Sequence, residues 1–284
     1  MERQVGGQAV IEGVMMRGRR WVATAVRRED GEIVVQVKES WAPARRLPFL
    51  RWPLVRGATA LVESLVVGLD ALTFSANQFG RDDEKLSPRD LALTVATALG
   101  LGIALFILLP TVLMRWLAGE KNPLLLNLGE GLLRMAIFFL YILTITRLKD
   151  IRRIFEYHGA EHKVVHAYEQ GRPLTVEAAR PFSTLHPRCG TSFLLYVMVV
   201  SIVLFSFLGW PALWLRIISR LLLLPAVAGL SYEFLRLAGR SNCPLVRFLS
   251  WPGLLLQRLT TREPDTGQIE VALRALEEVV KREA

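Results

Sequence analysis

Three of the four histidines in this 284-residue chain, His158, His162 and His166, stand at four-residue steps in one segment, and the run from His158 to His162 reads H-x-x-E-H. On a helix, residues four apart lie one above the other, so His158 and His162 can grip one metal ion while Glu161 faces a bound water. That is the arrangement of a metal-dependent hydrolase. The fourth histidine opens His186-Pro187-Arg188-Cys189, which offers two more ligand types three residues apart. A catalytic zinc site takes three protein ligands and keeps a fourth position for water, whose pKa it lowers to about 7. On this pattern a divalent metal, zinc, is expected on His158, His162 and a third ligand from His186 or Cys189. Glu161 is then the general base, and His166 supports the ligands. The competing expectation is a hydrogen-bonded histidine face, or a closed site with four protein ligands and no room for water. Cys243, in Asn242-Cys243-Pro244, reads as a small buried residue.

A helix must carry the motif. Ile151, Phe155, His158, His162 and His166 share one face, Asp150 favours its N-terminal end, and Gly159 permits close approach of another backbone or a ligand. Pro187 stiffens the turn to Cys189, and Gly190 lets the chain bend into the next apolar stretch. Upstream, Trp21–Val26 and Ile33–Val37 flank Asp30-Gly31, a hairpin signal, so a small β-unit is expected in residues 1–52. The glycine-bearing run before it, Gly6 to Arg17, has no phosphate-loop spacing and reads as a structural loop.

The expected fold is mainly α: a polytopic bundle of about four spans with the N-terminal β-hairpin and cytoplasmic amphipathic helices. A helix in 53–90 carries a small-residue stripe, Gly57, Ser64 and Ala71, beside a polar line, Arg56, Glu63, Asp70 and Asn77, and is expected to lie against the bundle or dip into the interface. Spans 1 and 2 fall in 91–146, around Leu91–Met114 and Leu132–Thr146, with Glu130 and Arg134 spaced for pairing. The histidine segment is 147–191. Spans 3 and 4 fall in 192–238, around Ser192–Trp210 and Ala212–Leu235, with Arg216 and Arg220 expected to snorkel and Glu233 near the far end as a pathway-lining group. Residues 239–284 hold an interfacial segment, Leu245–Leu259, interrupted at Pro252-Gly253, and an amphipathic helix over Gln268–Lys281.

At 52% hydrophobic and +9 net charge, the chain is too apolar for an ordinary soluble domain and too charged for spans alone. The arginines sit beside apolar stretches, where they face a lipid surface, and no nucleic-acid-reading motif accompanies them. Arg147, Lys149, Arg152 and Arg153 follow the second span while 119–129 is nearly charge-balanced, which puts both termini and the histidine segment in the cytoplasm. Two cysteines make no disulfide framework, and the first residues lack a secretory h-region, so insertion is expected to depend on internal spans.

GGQAVIEGVMMRG near the start, RGATALVESLVVG, YHGAEHK, HPRCGTSF, LSYEFLRLAGR and TREPDTGQIEVA together resemble the YqhQ-like family of uncharacterised bacterial membrane proteins across nearly the whole chain. The resemblance implies a multi-span protein of the bacterial inner membrane and a predicted metal-dependent enzyme, with His158, Glu161, His162, His186 and Cys189 at the family's motif positions. Two functions follow as expectations. One is a membrane-embedded hydrolase at the cytoplasmic face, cleaving a peptide, amide or ester bond in a membrane-associated protein or lipid. The other is a non-catalytic transport, lipid-handling or assembly factor whose His and Cys residues make a structural site.

Overall fold

The computed structural model describes residues 5–45, 47–79, 87–118, 122–241 and 243–284. The start of the 119–129 connection and Asn242 lie outside them. Four strands open the chain: β1 (Gly6–Val10), β2 (Gly13–Arg17), β3 (Trp21–Arg27) and β4 (Ile33–Glu39), paired antiparallel in sequence order. The expected hairpin is β3–β4. The run expected to be a loop is a second hairpin, β1–β2, turning at Ile11-Glu12, where Glu12 holds φ 50°. Its strands show no polar alternation because both faces are covered. Val14 and Met16 enter one core with Ala23 and Ala25, while Val10 and Met15 enter another with Val22 and Val26.

Helix α1 (Val55–Phe79) covers the second face through Val67 and Ala71. Its polar line meets partners on the sheet and on one later helix. Arg17 Nη2 donates to Glu63 at 2.5 Å, Lys38 Nζ to Asp70 at 2.8 Å, and Arg56 Nε to Glu233 at 2.6 Å. By length and composition α1 could cross a membrane, but its acids are spent on the strands. The small stripe works as expected at Gly57, where a Cβ would stand 2.7 Å from the Cα of Gly229.

Next come α2 (Pro88–Ile103), a π-helical turn (Ala104–Leu108) and α3 (Leu109–Ala118), which run on as one apolar rod. Helix α4 (Pro123–Ile145) is capped by Asn122 and starts nine residues before the expected span. After α5 (Lys149–Glu169) and the short α6 (Val176–Ala179) come α7 (Gly190–Ser206) and α8 (Leu213–Ala238). Four helical stretches are long and apolar enough to cross a membrane, Val55–Gln78, Arg89–Leu117, Pro123–Ile145 and Trp214–Ala238, and this is a membrane-type protein. Helix α7 has only 17 residues, shorter than the expected third span, because Gly209 and Pro211 end it. Phe138 and Ile142 of α4 meet Leu195 of α7 and Leu256 of the next helix in one core.

That helix, α9 (Pro244–Thr260), runs unbroken through Pro252, contrary to the expected interruption. Pro252 gives up one main-chain bond, but Leu256 and Gln257 bury the following turn. Cys243 is exposed just before Pro244, not buried, because it stands outside the packed face at the helix start. Arg216 and Arg220 do not snorkel; their guanidinium groups turn inward onto Glu130. Helix α10 (Thr266–Glu283) starts with a capping box between Asp265 and Gln268. It lays Ile269, Ala272, Leu273, Leu276 and Val279 on the first sheet face, beside Tyr157, Ala160 and Val164 of α5.

Candidate metal centre

Helix α5 is pinned to the sheet at one end and to the chain after α9 in the middle. Arg153 grips Glu12 of the β1–β2 turn with two nitrogens, and Tyr157 donates to the same carboxylate at 3.2 Å. Burial pushes the Tyr157 phenol up and keeps it a donor. At Gly159 a Cβ would stand 2.0 Å from the carbonyl oxygen of Arg262, so only glycine lets that segment pass. Lys163 is buried and donates to the carbonyls of Arg180 and Phe182, each at 2.7 Å, and pairs with Glu263 at 2.7 Å. These bonds tie residues 180–186 across the helix face that carries the histidines.

Gln257 of α9 fixes the other end of this strap. Its side chain accepts from the amide of His186 at 2.8 Å, then donates to the His186 carbonyl at 2.8 Å and to Ser192 Oγ at 2.7 Å. Cys189 caps α7, its sulfur accepting from the Thr191 amide at 3.3 Å. A polar residue after Leu254-Leu255-Leu256 was the sequence signal that could have exposed Gln257.

His158 Nδ1 lies 2.8 Å from the carbonyl oxygen of Thr260, and His162 Nδ1 lies 2.5 Å from that of Thr184. A carbonyl only accepts, so both rings donate from Nδ1, and Nε2 is the nitrogen each ring turns toward the site. His158 Nε2 is 3.2 Å from Cys189 Sγ. His158, His162 and Cys189 each offer one ligand atom, all within 4.8 Å of one another. Two imidazoles and a thiol this close together could hold one metal ion. Burial lowers the pKa of His162 and holds it neutral, the state a metal requires.

Glu161 lies on the wall of the same group. Its Oε2 is 3.9 Å from His158 Nε2 and 3.8 Å from His162 Nε2. Burial raises its pKa, against the pull of His158 and His186, while the Gly7 amide donates to it. A Cβ on Gly7 would stand 2.6 Å from Glu161 Cγ, so β1 is a wall of the site that sequence reasoning missed.

His186 is turned elsewhere. Its Nδ1 accepts from the Arg188 amide at 3.2 Å, and its Nε2 is 3.4 Å from Glu169. With His166 and Glu169 it makes a second cluster that could hold a metal. His166 donates Nε2–H to the Leu185 carbonyl at 2.9 Å, and burial lowers its pKa to about 4. The two clusters touch, with ring centroids 5.7 Å apart between His162 and His186. Glu233 is paired with Arg56, while its neighbours Tyr232 and Arg236 face a cavity of about 790 Å³ that His158, Glu161, His162 and Cys189 also line.

A membrane-type helical protein with a buried His/Cys cluster under a small antiparallel sheet is the class these features define. The chain belongs to the family described as protein of unknown function (DUF1385), whose profile matches residues 52–282. It is similar to the "Uncharacterized protein YqhQ" of Bacillus subtilis (strain 168), 36% identical over 302 residues, which span 98% of this chain and 93% of that protein. No solved structure matches.

Proposed function

We propose that this chain is a membrane-embedded, metal-dependent hydrolase at the cytoplasmic face of a bacterial inner membrane, with both termini on that side. The observation that carries the proposal is the pair of Nδ1 hydrogen bonds to main-chain carbonyls. Thr260 and Thr184 turn two Nε2 atoms toward the Cys189 sulfur, next to a buried carboxyl on a cavity wall. His158, His162 and Cys189 would hold the ion, and the nitrogen and sulfur donors favour zinc. A bound zinc supplies Lewis acidity and a water that ionises near neutral pH. Glu161 takes the proton from the attacking water and returns it to the leaving group, a task suited to a carboxyl whose pKa burial has raised. Phe193 and Leu194 give the cavity an apolar wall, while Arg188 and Arg236 give it positive charge. A membrane-associated protein or lipid with a cleavable amide or ester suits both.

The second reading is a structural site in a transport, lipid-handling or assembly factor. It is favoured by the reach of Glu161 to both Nε2 atoms, since a fourth protein ligand leaves water no position. Glu161→Gln separates the two. For the hydrolase, the variant keeps its zinc and fold and loses complementation of a deletion strain, in line with the roughly 10²- to 10⁴-fold cost of removing a general base. For the closed site, zinc affinity falls. Wild-type behaviour of Glu161→Gln, together with loss of stability in His162→Ala, would withdraw the hydrolase.

A further inference from the structure

At the opposite ends of the bundle helices from the histidines, Glu130 of α4 is buried to 1% exposure, and three guanidinium groups converge on it. Arg134, one turn on, donates to Oε1 at 2.7 Å, and Arg220 of α8 donates to both oxygens, its Nη2 reaching Oε2 at 3.0 Å. Arg216, one turn before Arg220, stops at 3.6 Å from Oε2. Thr111 of α3 adds a hydrogen bond to Oε1 at 3.0 Å. One carboxylate therefore faces three cations.

The donors are not all spent. Arg134 gives its Nε–H to the carbonyl of Phe106 at 2.7 Å, in the π-helical turn. Among the described residues, Nε and Nη1 of Arg216 and Nε of Arg220 have no hydrogen-bond partner, although they are shut off from solvent. The Arg216 side chain is only 8% exposed, and the Trp210 ring covers its guanidinium at 3.7 Å. Charges buried in a membrane protein are costly unless each has a counter-charge and its hydrogen bonds. Among the described residues, three positive charges face one negative charge, and the open groups are all donors.

We propose that Arg216 and Arg220, with Arg134 behind them, bind one phosphate-type oxyanion. Such a ligand supplies the missing negative charge and is purely an acceptor, which matches the groups left open. Trp116, Trp214 and Phe207 are exposed around this end of the bundle, the level at which aromatic side chains meet lipid phosphates. A phosphodiester headgroup of an anionic lipid and free phosphate share this chemistry.

The test uses the full-length protein purified in detergent. Native mass spectrometry in equal mixtures of dioleoylphosphatidylglycerol and dioleoylphosphatidylcholine reads lipid retention. Thermal melting in sodium phosphate against sodium chloride at matched ionic strength reads the free anion. Wild type is expected to favour phosphatidylglycerol by roughly tenfold, the scale of a charge-assisted hydrogen bond, or to melt higher in phosphate. Selective lipid retention without a phosphate shift assigns the site to a headgroup; a phosphate shift without lipid selectivity assigns it to a soluble anion. Arg216→Gln is expected to remove whichever effect wild type shows, and Arg216→Lys to weaken it. Neither effect in wild type, or an effect that survives Arg216→Gln, overturns the proposal. If Arg216→Gln does not fold, the wild-type comparison and Arg216→Lys decide the matter alone.

Discussion

His158 and His162 each spend Nδ1 on a main-chain carbonyl, and that choice turns the same nitrogen, Nε2, of both rings toward the site. The pairing of these histidines with Glu161 was legible, because four-residue spacing on a helix is a side-chain pattern. Their orientation was not, since the oxygens of Thr184 and Thr260 and the amide of Gly7 belong to the backbone, which every residue type shares. Cys189 was legible as a ligand type, but the split that sends it to His158 and His162, and His186 to His166 and Glu169, depends on how the strap turns. Gly159→Ala tests the closeness of the supporting chain. Its methyl would meet the Arg262 carbonyl oxygen at 2.0 Å, a main-chain atom that cannot swing aside. Overpacking of this kind costs about 1–3 kcal/mol, so the melting temperature in detergent should fall by several degrees. An unchanged melting temperature would show that α5 does not need this glycine.

The strap over residues 180–189 is the element that makes a centre out of two separate motifs. Lys163 holds one end through two carbonyls, and Gln257 holds the other through both main-chain groups of His186. Lys163→Met keeps the apolar stem and orphans the two carbonyls, at a cost of about 1–3 kcal/mol. Limited proteolysis should then cut within 180–189 faster than in wild type, and zinc affinity should fall with it. Equal cleavage rates would mean that Lys163 does not hold the strap. Among the elements, α5 and α10 were legible because each has one apolar face. The β1–β2 hairpin was hidden because its two faces enter separate cores, which erases the alternation that marks a half-exposed strand. Helix α9 was misjudged at Pro252 because buried neighbours can outweigh one lost hydrogen bond.

Across the whole molecule, the histidine site and the arginine cluster occupy opposite ends of α4 and α8, with the sheet, α5 and α10 gathered at the histidine end. The apolar stretches announced a membrane protein directly. The role of α1 was harder to read, since its hydropathy suits a span while Glu63 and Asp70 answer to Arg17 and Lys38 on the sheet. Arg147, Lys149, Arg152 and Arg153 lie at the histidine end, so reporter fusions at both termini should report the cytoplasm and a fusion within 119–129 the opposite side. A periplasmic signal at either terminus would refute this orientation. The most direct measurement is the metal content of the purified full-length protein, wild type beside His162→Ala and Cys189→Ser. The centre described here predicts about one zinc per chain in wild type and its loss in both variants. Folded wild-type protein that carries no metal and takes up none from micromolar zinc would contradict it.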